Sequence, residues 1–293
     1  MKTRILTAVV AVLLFVPFCI FSASPVFVFL LFAGIIVTVA IFELLKCTGL
    51  HRNVFESLLA YPTGLAAVIL TRIVETPEEY FRIMSFVWFA FLFLSLVNAT
   101  FSKGRVPVTD AAVAALMIVY VSFAMASIVL LRDLSALSEG ERVVFGGKIY
   151  LLAFLFAWMP DIGGYFFGRF FGKHKLIPHV SPKKTVEGFV GGLFSALVVS
   201  VIYGFAIGLG RGDFKGFLVL GVLAILSGAV SVCGDLLASL VKRHYGIKDY
   251  GFVFPGHGGV MDRFDSVMAV APFLYILSSI ANSFGLFSDF LTL

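Results

Sequence analysis

The residues best suited to chemistry lie in the last third of the chain. Asp262 and Asp265, in Asp262-Arg263-Phe264-Asp265, are three apart, so one face of a helical turn can carry both. Before them come Lys242-Arg243, then Lys248-Asp249-Tyr250-Gly251, then Phe254-Pro255-Gly256-His257-Gly258-Gly259. Glycines at 256, 258 and 259 let backbone N–H groups approach a ligand closely, as phosphate-cradling turns do. Further upstream, Ser227, Ser231, Asp235 and Ser239 recur every four residues. On an α-helix a step of four turns the side chain by only about 40°, so these four form one polar stripe. A carboxylate at membrane depth costs roughly 2.5 to 3.5 kcal/mol, so Asp235 calls for a wet or protein-lined cavity. Two carboxylates from one segment, a third from a neighbouring helix and four nearby cations suit a divalent metal with a phosphate ester. Such a site needs hard oxygen ligands, open positions for phosphate oxygens, and positive charge to balance them. Plainer roles compete: the serines as packing contacts, Asp235 in a structural ion pair, Asp265 as a helix cap.

A third constellation precedes these. It runs Asp161-Ile162-Gly163-Gly164-Tyr165, then Gly168-Arg169, Gly172-Lys173-His174-Lys175 and Ser181-Pro182-Lys183-Lys184-Thr185, with Glu187 and Gly188 next. Pro160 and the paired glycines are expected to break the helix near Asp161, as broken helices at membrane depth usually line a cavity. Lys173, Lys175, Lys183 and Lys184 form a basic loop without an acid, which topology alone can explain; the intramembrane Asp161 is not so explained. The glycine spacing makes no Walker A loop, because Gly168 to Gly172 is one residue too short and His174 follows Lys173.

These groups must be positioned by membrane-spanning helices. The 293 residues are 60% hydrophobic and 13% charged, against nearer 45 to 50% and about 25% for a soluble domain. The expected fold is an all-α polytopic membrane protein with about nine spans, each needing about 20 apolar residues. The runs are roughly Ile5 to Phe21, Pro25 to Leu45, Phe55 to Leu70, Met84 to Ala99, Ala111 to Leu131, Ile149 to Phe171, Gly188 to Leu209, Phe217 to Val241 and Ser266 to Phe287. The third is the weakest, being short and interrupted by Pro62 and Gly64. The first has a signal-peptide alternative, with Lys2 and Arg4 before it and Ser22-Ala23-Ser24 after it.

Charge sets the orientation. With nine spans, fourteen Lys and Arg fall on the side of the N-terminus and seven on the other, so the N-terminus is expected in the cytoplasm and the C-terminus outside. Both basic motif loops then face the cytoplasm. The net charge of +5 follows from this bias, and no basic stripe with interleaved aromatics points to nucleic acid. Cys19, Cys47 and Cys233 are too scattered for a disulfide framework or a zinc site. One membrane domain spanning 1–293 is expected, with scaffold spans over 1–131 and working spans and loops over 148–287.

The string from Ser239 through Lys242-Arg243, Lys248-Asp249 and the glycine turn to Asp265 closely resembles the signature of the bacterial phosphatidate cytidylyltransferases, the CDP-diacylglycerol synthases. The Asp161, Gly172-Lys173-His174-Lys175 and Ser181 to Thr185 strings resemble that family too. Ala238 and Ile162 depart from it, where members often carry Glu and a hydroxyl residue. The resemblance implies that CTP and phosphatidate give CDP-diacylglycerol and pyrophosphate in phospholipid synthesis, in a bacterial cytoplasmic membrane. It implies Mg²⁺, with one or two metal ions and a monovalent second ion as a candidate, and a homodimer as a candidate assembly. Asp235 and Asp262 are expected to hold the metal ions, with Asp265 and Asp249 as nearby ligands or orienting groups. Lys173, Lys175, Lys183, Lys184, Lys242, Arg243, Lys248 and Arg263 would meet triphosphate and lipid phosphate. Asp161, Ser181, Thr185, Ser239, Gly256, Gly258 and Gly259 would line the substrates, and His257 would contact phosphate or order its turn. The lipid phosphate is already anionic, so it can attack the α-phosphorus of CTP in line without a general base.

Three rivals are a secondary transporter, a CTP-dependent lipid kinase, and another lipid-phosphate enzyme. The transporter would show inverted repeats, which are not evident. The CDP-alcohol phosphotransferase and polyprenyl transferase boxes are absent from the sequence.

Overall fold

The computed structural model describes residues 26–138, 141–144, 146–210, 212–254 and 258–284. Among them are eight helices long and apolar enough to cross a membrane, matching the second through ninth expected spans. The first expected span, Cys19, Gly256, His257 and the end of the last span lie outside the described residues. The chain divides into two compact units, one of residues up to Val129 with 241–264, the other of Leu130–Leu240 with the chain from Asp265.

In the first unit, α1 (Val26–Cys47) leads through Gly49, at φ 77°, and a short 3-10 turn into α2 (Val54–Ile73). Asn53 starts α2, its side chain accepting the Glu56 N–H at 3.0 Å. The weakest expected span is thus a helix of 20 residues, about 30 Å long, enough to cross the hydrocarbon core. Pro62 does not interrupt it, because a proline removes one N–H, and Thr63 turns its hydroxyl back onto the Leu59 carbonyl at 2.8 Å. Gly64 serves close packing, since a Cβ there would run into Ile41 of α1. Helix α3 (Pro77–Phe101) is capped by Thr76 with Pro77 in its first turn, and α4 (Val108–Arg132) follows.

Two carboxylates are buried among these four helices. Glu56 accepts from Ser95 at 3.1 Å and from Asn98 at 2.9 Å, and Glu43 is only 2% exposed.

The second unit opens with a short antiparallel hairpin, β1 (Ser135–Ser138) and β2 (Glu141–Val144). Helix α5 (Gly146–Phe171) then runs unbroken through Pro160 and Asp161. The expected break is therefore corrected: Pro160 deprives only the Phe156 carbonyl, and beside it the Ser231 hydroxyl donates to Ala157 O at 2.8 Å. The glycines have another use. Gly164 and Gly168 of α5 abut Gly188 at the start of α6 (Val186–Ala206), and Gly192 of α6 abuts the Pro160 carbonyl. Side chains at these points would force the helices apart, so this is the small-residue packing by which membrane helices approach closely.

Between α5 and α6 the basic segment folds as a hairpin, β3 (Lys175–Ile177) against β4 (Ser181–Thr185). Glu187 locks its base, accepting from the backbone N–H of Lys173 at 3.0 Å and of His174 at 3.2 Å. Thr185 caps α6 by accepting the Gly188 N–H at 3.1 Å. Helix α7 (Phe214–His244), about 46 Å long by its 31 residues, exceeds a ~30 Å core, and α8 (Met261–Ser283) closes the described chain.

Candidate active site

In the second unit three elements converge on one ammonium group. Lys184 comes from β4, Asp235 from α7 and Asp161 from α5. Lys184 Nζ lies 2.6 Å from Asp235 Oδ2 and 3.8 Å from Asp161 Oδ1. Ser266 of α8 donates its hydroxyl to Asp161 Oδ2 at 3.2 Å. Within β4, Lys184 is half-buried against these acids while Lys183 stays exposed. Through Asp161 and Lys184 the cluster borders a cavity of about 370 Å³ that also takes in Tyr165, Arg169, Lys183 and Phe189. Its side chains remain partly open, at 22% exposure for Lys184, 25% for Asp235 and 41% for Asp161. Along the polar stripe Ser227, Ser231 and Ser239 are buried, Ser231 as an interhelical contact, while Asp235 between them pairs with Lys184.

In the first unit a second acid–base pair is closed. Lys242 Nζ donates to Asp262 Oδ1 at 2.7 Å, with the side chains 10% and 2% exposed. Asp262 Oδ2 also accepts the backbone N–H of Tyr250 at 2.8 Å and of Gly259 at 2.9 Å. Gly258 sits at φ 85°, a left-handed conformation that side chains resist, with Asp262 against it. Glu43 completes the turn: its Oε1 accepts Val260 N–H at 3.0 Å and its Oε2 accepts Met261 N–H at 2.8 Å. The N–H groups of Gly259, Val260 and Met261 thus point at two of the protein's own carboxylates. Nearby, Lys46, Lys248, Asp249, Tyr250 and Phe252 line a cavity of about 420 Å³. Tyr245 donates to Asp110 at 2.9 Å, and burial, with that carboxylate, pushes its phenol pKa up.

The metal implied by the resemblance can be tested against these side chains. Among the described residues no three His, Cys, Asp or Glu side chains group to hold an ion by themselves. Mg²⁺ needs no such cage, since it usually takes one or two carboxylates and completes its shell with water and substrate phosphate. Asp161 and Asp235 already share one cationic point, the Lys184 ammonium, so the residues fit an ion finished by phosphate oxygens.

The other expected residues distribute as follows. Lys173, Lys175, Arg243, Lys248, Asp249 and Arg263 are exposed, Ser181 is half-buried, and Thr185 and Ser239 are buried. Asp265 is half-buried and accepts the Ser266 N–H at 2.8 Å. Sequence reasoning passed over Glu43 and Ser266. A single Glu inside an otherwise apolar span was the available signal for Glu43; one serine at the start of α8 carried none.

The chain matches the profile of the Cytidylyltransferase family over residues 2–281. It is 36% identical over 277 residues to the phosphatidate cytidylyltransferase of Staphylococcus aureus (strain COL), covering 94% of this chain and 98% of that protein. The corresponding protein of Staphylococcus haemolyticus is 35% identical over 283 residues, with the same coverage. That of Staphylococcus epidermidis is 36% identical over 277 residues.

Proposed function

We infer how this chain, which belongs to the cytidylyltransferase family, uses the groups just described. It is a membrane-embedded nucleotidyltransferase that converts CTP and phosphatidate into CDP-diacylglycerol and pyrophosphate. A phosphatidate oxygen attacks the α-phosphorus of CTP in line. One P–O bond forms to the lipid, the bond to the β-phosphate bridge breaks, and pyrophosphate leaves with the electron pair. The attacking oxygen is already anionic, so the protein's task is to orient two polyanions and offset their repulsion.

The observation that carries the assignment is the Lys184 ammonium bracketed by Asp161 and Asp235. Asp161 and Asp235 would hold Mg²⁺ there, and Asp262, through the one lone pair on Oδ1 that its three bonds leave free, is separately proposed to hold a metal ion. Bound Mg²⁺ would neutralise phosphate charge and align the oxygens it touches. Lys184 would then meet phosphate, with Lys183 and Arg169 on the rim of the same cavity. The apolar wall supplied by Tyr165 and Phe189 suits the lipid substrate, and Ser266 keeps Asp161 aimed. The excess of Lys and Arg in the motif loops supports an active site facing the cytoplasm, where CTP is made.

The test is purified protein with phosphatidate, Mg²⁺ and CTP labelled at either the α- or the γ-phosphate. The α-label should enter lipid while the γ-label leaves as pyrophosphate, and Asp235→Asn should be nearly inactive in both. Entry of the γ-label into lipid would make the reaction a kinase's and overturn the scheme; full activity in Asp235→Asn would remove the metal assignment alone.

A further inference from the structure

We propose that Glu43, on α1 and far in sequence from the signature segment, is a positioning residue for the transfer reaction. Its carboxylate uses both oxygens on the turn that leads into α8, at 3.0 Å from Val260 N and 2.8 Å from Met261 N. These are among the first N–H groups of a helix, which have no intrahelical acceptor and favour an anion. The fit is tight from two sides. A Cβ built on Gly251 or on Gly259 would run into the Glu43 carboxylate, so both flanks of the 252–258 loop close upon it. Asp262 clasps the same neck from the other direction through Tyr250 N and Gly259 N. Two carboxylates therefore fix one turn, but they are not equivalent. Asp262 has Lys242 as its counter-ion, whereas Glu43 makes no ion pair within 4 Å among the described residues.

A neutral amide could cap a helix, so capping alone does not require an acid in an apolar span that resists charge. What Glu43 adds is a two-oxygen acceptor that an amide cannot reproduce: in Glu43→Gln one oxygen becomes an NH₂ facing a backbone N–H. The turn then shifts, and Asp262 with it. A displacement of about 1 Å at a reacting group can lower the rate on the order of 100-fold.

The inference rests on the transfer reaction but not on the metal assignment at Asp161 and Asp235. Glu43→Gln and Glu43→Ala would be compared with Glu56→Gln, a buried carboxylate of the same unit bonded to Ser95 and Asn98. The measurements are kcat, KM for each substrate and the thermal midpoint in one detergent. For Glu43→Gln the expected result is kcat lower by about 10- to 100-fold, with KM for phosphatidate and the midpoint near wild type. Glu43→Ala should fall further, so that the conservative variant rescues in part, and Glu56→Gln should keep its kcat. Unchanged kcat in Glu43→Gln overturns the proposal, as does an equal fall in Glu56→Gln. Failure of Glu43→Gln to fold would make Glu43 a structural anchor and overturn it as well. Parallel assay of Asp235→Asn separates the two readings, because its outcome bears only on the metal.

Discussion

The two acid–base clusters contain similar groups in opposite states. Around Lys184 the side chains are a fifth to two-fifths exposed and stand beside a cavity. Around Lys242 the pair is nearly sealed, and every bond it makes tightens the loop that leads into α8. An ion pair whose carboxylates already meet water exchanges its partner at smaller cost. A sealed pair cannot, because removing one charge strands the other in low dielectric. Openness thus marks where phosphate and metal enter without rearrangement, and closure marks a frame that holds Asp262 in a fixed place for the ion proposed there.

The contrast can be broken or sharpened by mutation, beginning with the largest effect. Asp235→Asn should lower kcat on the order of 10²- to 10³-fold, as loss of a charge-stabilising group at a transferring phosphate does, with little change in unfolding. Lys242→Met should destabilise by about 3 to 5 kcal/mol in denaturant titration, since Asp262 is left buried and uncompensated. Gly258→Ala should cost about 1 to 2 kcal/mol in the same titration, from the left-handed backbone alone. Lys184→Met should change stability by less than about 1 kcal/mol while raising KM for phosphatidate. Equal destabilisation by Lys184→Met and Lys242→Met would erase the distinction.

Much of this was legible in the residues. Eight of the expected spans appear as helices, because long apolar runs have no other way to satisfy their backbone in lipid. Asp161 and Asp235 stood out because charge at membrane depth is costly, and Asp262 by its spacing from Asp265 beside the glycine-rich segment. What the sequence hid was the use of glycine. The Gly163-Gly164 pair reads as a helix breaker by local propensity, yet in the structure it lets α6 approach α5, a property of two helices that neither shows alone. Likewise Gly258 and Gly259 read as a cradle for a ligand's phosphate, whereas their neighbours are Glu43 and Asp262. The Glu43 contact bridges more than 200 positions along the chain, and no local spacing encodes it. The hairpin that turns Lys184 inward escaped notice because a lysine-rich loop follows equally well from topology.

The most direct test of the open cluster as the metal site is Mn²⁺ binding, read by electron paramagnetic resonance, in wild type, Asp161→Asn and Asp235→Asn. The account predicts that each substitution weakens binding at least about tenfold, the equivalent of 1.4 kcal/mol, while Lys184→Met does not. Equal Mn²⁺ affinity in wild type and both Asp variants would contradict it.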